Sequence, residues 1–184
     1  MSSFNESRLA LISVLAEKSR GQMGRTALMK YMYLLQTLRG VPLGYNFTLY
    51  SYGPFDSDVL EDLSAAEALD AVNTELELYS GGYGYKIRSD DNGKWLQKRA
   101  AKFLAKYGKD IDWVIKRFGS FTSAELELVG TVVYVDRESA SDKRKANLEQ
   151  VAKLVHEIKP HFSVEKVLHY ARQLADQGVL RAAA

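Results

Sequence analysis

The sequence has no cysteine, only three prolines and three histidines, and almost no net charge: 25 basic residues against 23 acidic leave +2. Without cysteine there is no disulfide, no thiolate metal site and no Cys nucleophile, a usage that fits a reducing cytoplasm. No apolar run reaches the roughly 18–20 residues that span a bilayer. The N-terminus MSSFNESRLALISVLAEKSR has neither a basic start nor a small-residue cleavage site. A cytoplasmic location with no membrane partner is therefore expected. The charge balance excludes a nucleic-acid binder that declares itself by bulk composition. His156, His161 and His169 lie near the C-terminus, but no G-x-S-x-G elbow accompanies them, and a Ser-His-Asp set needs three converging groups. His156 and His161 stand five apart across Pro160, a poor spacing for zinc ligands on one helix face. No catalytic residue, metal or cofactor is expected.

What the chain does have is apolar and aromatic content. Hydrophobic residues make up 46% of 184, with 11 tyrosines, and a chain of this length can bury about 70% of its unfolded surface without staples. Leu9, Ile12, Leu15 and Ala16 recur at helical spacing, and the glycines of SRGQMG break that helix. A second helix follows over GRTALMKYMYLLQTLRG. Leu28, Met32 and Leu35 form its stripe, Tyr31 and Leu38 widen it, and Gly40 and Pro42 stop it. YNFTLYSY alternates and reads as a strand ended by Pro54. Asp56, Ser57 and Asp58 can cap the next short helix, with Asp58 and Glu61 at capping-box spacing. Ser64 and Glu67 suggest a further helix carrying Leu69 and Val72.

TELELYSGGYGYKIR reads as a β-hairpin turning at its glycines, with Leu76 and Leu78 alternating with Glu75 and Glu77. SGGYGYK is no phosphate loop, because a strand rather than a helix follows it. Beyond Asn92 only helices are predicted. GKWLQKRAAKFLAKYG and DIDWVIKRFG are separated at Gly108, and a third begins at a Thr122–Glu125 capping box. The TVVYV run of that third segment could be a strand, but the cap and its neighbours favour a helix. Leu148, Val151, Leu154, Val155 and Ile158 stripe a fourth. A fifth starts at Ser163 and ends at Gly178, and RAAA is expected to fray. The expected fold is α+β, mainly α: a winged-helix-like N-terminal half (helices, short strand, β-hairpin) over 1–118, with a helical extension over 119–184 packed on it in one compact unit.

Two surfaces invite a functional reading. Lys94, Lys98, Lys102 and Lys106 form an i, i+4 stripe with Arg99 beside it, and like charges at that spacing repel. Lys86 and Arg88 of the hairpin and Lys143, Arg144 and Lys145 of SDKRK add to a face that could meet nucleic-acid phosphate. Against this, Asp56, Asp58, Glu61 and Asp62 would repel DNA from the helix that should enter its groove. The other surface is the aromatic corner. Tyr45, Phe47, Tyr50, Tyr52 and Phe55 crowd around Gly53 and Pro54, edged by acids. Strand alternation can bury only half of them, and aromatics beside a polar rim suit a protein partner.

Leu28 to Leu63, LMKYMYLLQTLRGVPLGYNFTLYSYGPFDSDVLEDL, resembles the signature of the Panacea or SocA-like antitoxin domain, in particular its YwgA-like branch. Lys30, Tyr33 and Gln36 match the K-x-x-Y-x-x-Q helix. Gly40, Pro42 and Leu43 match the link, and Tyr52, Gly53, Pro54 and Phe55 with Leu63 match the corner. The resemblance implies a non-enzymatic protein-binding module, an antitoxin that binds and neutralises a genetically linked toxin. It places Lys30, Tyr33, Gln36, Tyr50, Tyr52, Gly53, Pro54 and Phe55 near the contact surface. The alternative is a winged-helix nucleic-acid-binding regulator using Lys86, Arg88, Lys94, Lys98, Arg99, Lys102 and Lys106.

Overall fold

A computed structural model describes residues 3–79, 82–141 and 147–182, which form eight helices and two small two-stranded sheets. The order is α1 (Ser3–Lys18), α2 (Arg25–Arg39), β1 (Thr48–Tyr50), β2 (Gly53–Phe55), α3 (Asp58–Ala68), β3 (Val72–Tyr79) and β4 (Gly82–Ser89). Then come α4 (Gly93–Arg99), α5 (Ala101–Phe118), α6 (Ser123–Ser141), α7 (Leu148–Ile158) and α8 (Val164–Asp176). The class is α+β, mainly α, as expected; the winged-helix likeness is not confirmed. The chain divides into two compact units, Met1–Thr48 with Phe55–Phe121, and Leu49–Pro54 with Thr122–Ala184. The second unit thus joins Leu49–Pro54 to the chain beyond Phe121. The tip of the β3–β4 hairpin at Ser80-Gly81 and the basic run Lys143, Arg144 and Lys145 lie outside the described residues.

In the first unit α1 is central. It packs on α3, α4, α5 and the β3–β4 hairpin, and Leu9, Ala10, Leu11, Ile12, Leu15 and Ala16 are all buried. A helix apolar around most of its circumference belongs in a core. Each fully buried Leu or Ile contributes about 1.5–3 kcal/mol of transfer free energy, so α1 is the main anchor of this unit. Leu28, Met32 and Leu35 of α2 join it, and so do Ile111, Val114 and Phe118 of α5. Gly40 ends α2 in the left-handed region at φ 64, as the stop signal implies.

The second unit is built on α6, α7 and α8, each packed on the other two. The capping box that opens α6 forms. Thr122 N–H donates to Glu125 Oε2 at 2.7 Å, and Glu125 N–H donates to Thr122 Oγ1 at 3.3 Å. TVVYV is helical, with Val132 and Val133 buried. The chain end is tied rather than frayed through Ala182, because buried Asp136 accepts from the backbone N–H groups of Arg181 and Ala182 at 3.0 and 2.7 Å.

Several local expectations are corrected. YNFTLYSY is strand only over Thr48–Tyr50, and Pro54 does not end a strand but lies within β2. The Asp58–Glu61 box is replaced by Asp56, whose carboxylate accepts from Asp58 N–H at 2.9 Å. α3 continues through Ser64, whose hydroxyl donates to Leu60 O at 3.1 Å instead of capping a new helix. Val72 opens β3. Helix α5 runs through Gly108, and the interruption falls at Ala100. A helical Gly costs only about 1 kcal/mol relative to Ala, too little to stop a packed helix. On α7, Leu154 and Ile158 are exposed and only Leu148, Val151, Ala152 and Val155 are buried.

Candidate functional site

The aromatic corner is a tight hairpin. β1 and β2 pair across Ser51 and Tyr52, and Gly53 closes the turn at φ 83, a conformation that strains any residue with a Cβ. Gly53 and Pro54 are buried and Phe55 is half-buried. Tyr50 and Tyr52 are exposed, Tyr52 to 70%. What holds the turn is Lys159, at the C-terminal end of α7. Its Nζ donates to Tyr50 O at 3.1 Å and to Ser51 O, and pairs with Glu127 Oε1 of α6 at 3.1 Å. Lys159 is only 4% exposed and Glu127 is also buried. His161 Nε2 stands 3.4 Å from the same carboxylate oxygen. A buried amine needs acceptors for its protons; the two carbonyls supply them, and the Glu127 carboxylate lies within ion-pair distance.

The signature residues of α2 are not on the surface. Lys30 is 2% exposed and Tyr33 is buried, so placing them at a contact face is corrected. Tyr33 stacks edge-on against Phe47 at 5.2 Å, and Phe47 meets Tyr45 at 5.5 Å. Half-buried Gln36 uses both ends of its amide, donating to Tyr45 O at 2.8 Å and accepting from Tyr45 N–H at 3.0 Å. Of the tyrosines around the corner, Tyr45 is the one buried in the core. Its hydroxyl donates to Asp62 Oδ2 at 2.7 Å, while Arg8 Nε pairs with that oxygen at 2.8 Å and its guanidinium lies over the Tyr45 ring. Burial, then the hydrogen bond to Asp62, pushes the Tyr45 hydroxyl well above the usual phenol range. Burial also raises the Asp62 carboxyl, against the lowering effects of Tyr45 and Arg8. Asp62 is therefore no surface acid, and its place among four DNA-repelling carboxylates is corrected.

The cations are more committed than their stripe implied. The break at Ala100 puts Lys94 and Lys98 on α4 but Lys102 and Lys106 on α5. Acids come from elsewhere in the first unit: Lys94 pairs with Glu17 at 2.6 Å and Arg99 with Glu6. Lys86 pairs with Glu77 at 2.6 Å and Arg88 with Glu75 at 2.9 Å, both within the β3–β4 hairpin. Lys98, Lys102 and Lys106 remain exposed. Among the described residues, no three His, Asp or Glu side chains come together as a metal-binding group, and no helix is long and apolar enough to cross a membrane.

One feature of the surface escaped the sequence reading. Antiparallel register sets Leu76 opposite Tyr85 and Leu78 opposite Tyr83, and period-two alternation puts these four on one face. Near the base of the hairpin, Val72 and Ile87 are buried, and Ile87 N–H donates to Met23 O at 2.8 Å. Further out, Leu76, Leu78 and Tyr83 are exposed, Leu78 to 77%. The signal was in the length: the alternation continues through Leu76, Leu78, Tyr83 and Tyr85, beyond the Val72 and Ile87 that the base buries. No protein-family model matches this chain, and no curated protein sequence does.

Proposed function

We propose that this chain is a non-catalytic protein-binding module of the cytoplasm, and that its partner is a toxin encoded beside it, which it binds and neutralises. The observation that carries the binding reading is the uncovered apolar face of the β3–β4 hairpin, Leu76, Leu78 and Tyr83. Covering a large apolar side chain releases about 1.5–3 kcal/mol, and such clusters on a surface mark contact sites. The charges of the opposite face are paired with each other, so burying the apolar face requires no further neutralisation. Tyr50 and Tyr52 supply a second aromatic surface of the hot-spot type. The antitoxin role rests on the resemblance of Leu28–Leu63 to the Panacea signature. The nucleic-acid alternative is weakened because four of its seven cations, Lys86, Arg88, Lys94 and Arg99, are each paired with an acid.

Co-expression with the product of the adjacent gene tests this. The expected result is growth arrest by that product alone, rescue by this chain, and co-purification of the two. Leu78→Asp with Tyr83→Asp is expected to abolish rescue while leaving the melting temperature within a few degrees, since exposed positions change stability by about 0.5 kcal/mol or less. A neighbour that is not toxic and does not co-purify would sink the reading.

A further inference from the structure

An open cleft of about 690 Å³ lies in the first unit where α4 gives way to α5. Lys98, Arg99 and Lys102 line it, with Phe103 and Pro42 as apolar lining and Glu6 as its acid. Glu6 is already committed to Arg99. Among the described residues, neither Lys98 nor Lys102 is paired with an acid. Lys102 sits in the first turn of α5, where the helix dipole disfavours a cation. Three cations within five residues repel one another, and no acid of α4 or of the first turn of α5 offsets them.

We infer that this cleft binds a small organic phosphate, with its anionic group among Lys98, Arg99 and Lys102 and its flat apolar part against Phe103 and Pro42. The volume lies within the roughly 300–1,000 Å³ of small-molecule sites. Concavity favours a compact ligand over a duplex, because tracking a phosphate backbone requires a continuous stripe, and Lys94 at one end of the stripe is bound to Glu17. The Glu6–Arg99 pair also borders a second, smaller cleft of about 240 Å³ that contains Trp95. The Arg99 guanidinium lies 5.2 Å from the centre of the Trp95 ring, so the indole is placed to report on a ligand that draws Arg99. The inference does not rest on the protein-binding reading, and either can fail alone.

The test is titration of the whole chain with adenosine 5′-monophosphate at low salt, followed by calorimetry and by tryptophan fluorescence, whose change is assigned to Trp95 by its loss in Trp95→Phe, with adenosine in parallel. Saturable binding of the monophosphate, none of adenosine, and weakening by added salt are expected. Lys98→Ala and Lys102→Ala should each weaken binding about tenfold, the worth of one charge-assisted contact, with the circular dichroism spectrum unchanged. Glu6→Gln should tighten binding several-fold, because it removes the opposing acid and frees Arg99. No saturation by the monophosphate, equal binding of adenosine, or indifference to both lysine variants would overturn the proposal. Binding of short duplex DNA with no binding of the monophosphate would also overturn it, in favour of a backbone-tracking face.

Discussion

The two hairpins present aromatic side chains to solvent by different means. β1–β2 has strands of three residues, too few for a self-supporting ladder, and its turn is gripped from outside by the buried Lys159. β3–β4 has strands of eight residues, full register and its own cross-strand ion pairs. The first turn is held by tertiary contact; the second has its own ladder and ion pairs and is anchored at its base by Val72, Ile87 and the Met23 carbonyl. A surface built in the first way depends on residues more than a hundred positions away; one built in the second depends on its neighbours.

Lys159→Met should break this contrast most sharply. It strands the buried Glu127 and leaves two carbonyls without their donor, a loss of about 3–5 kcal/mol for a broken buried pair. Urea melts would show it, and adding Glu127→Gln should recover the part that the stranded carboxylate causes. Next comes Glu125→Gln, which weakens the cap of the helix that carries Glu127, by about 0.5–1 kcal/mol at neutral pH. The backbone N–H of Thr122, then the Tyr170 and Thr122 hydroxyls, hold the Glu125 carboxyl below its ordinary value. A carboxyl lowered on folding stabilises the protein above its unfolded pKa, and that stability is lost as pH falls through the folded one. The wild type should therefore lose more stability than the variant when melts are repeated at successively lower pH, below an ordinary 4.5. The smallest effect belongs to the other hairpin. Lys86→Ala should change stability by about 0.5 kcal/mol or less, because the pair it breaks is partly solvated and screened. A loss as large as that of Lys159→Met would erase the distinction drawn between the hairpins.

Wherever periodicity and caps agreed, the elements could be read directly: α1, α2, α6 and α8 follow from their stripes, from Gly40, from Thr122–Glu125 and from Ser163. The break at Ala100 could not be read, because alanine is the best helix former and no glycine or proline marks the position. Exposure was the harder question. Lys30 and Asp62 are residue types that composition assigns to the surface, yet both are buried. Leu76 and Leu78 carry the alternation of a covered face, yet both lie open. Alternation fixes which side chains share a face, but what covers that face is decided by residues elsewhere in the chain. Of the aromatic corner, the exposure of Tyr50 and Tyr52 was legible. The cation beneath it was not, since nothing at Lys159 marks a partner at Tyr50.

The contact of Arg8 with Asp62 and Tyr45 limits how the chain can be trimmed. Arg8 and Asp62 stand 54 positions apart and Tyr45 and Asp62 only 17, so on a growing chain the guanidinium is made well before both the phenol and the carboxylate. Until Asp62 arrives, Arg8 is a solvated cation and the Tyr45 hydroxyl is bonded to water. Once the contact closes, removing the first helix would shed more than apolar surface: it would leave a carboxylate walled in beside a phenol with no counter-charge. The N-terminal limit of a usable fragment is therefore set by the arginine at position 8 rather than by the first leucine of the core.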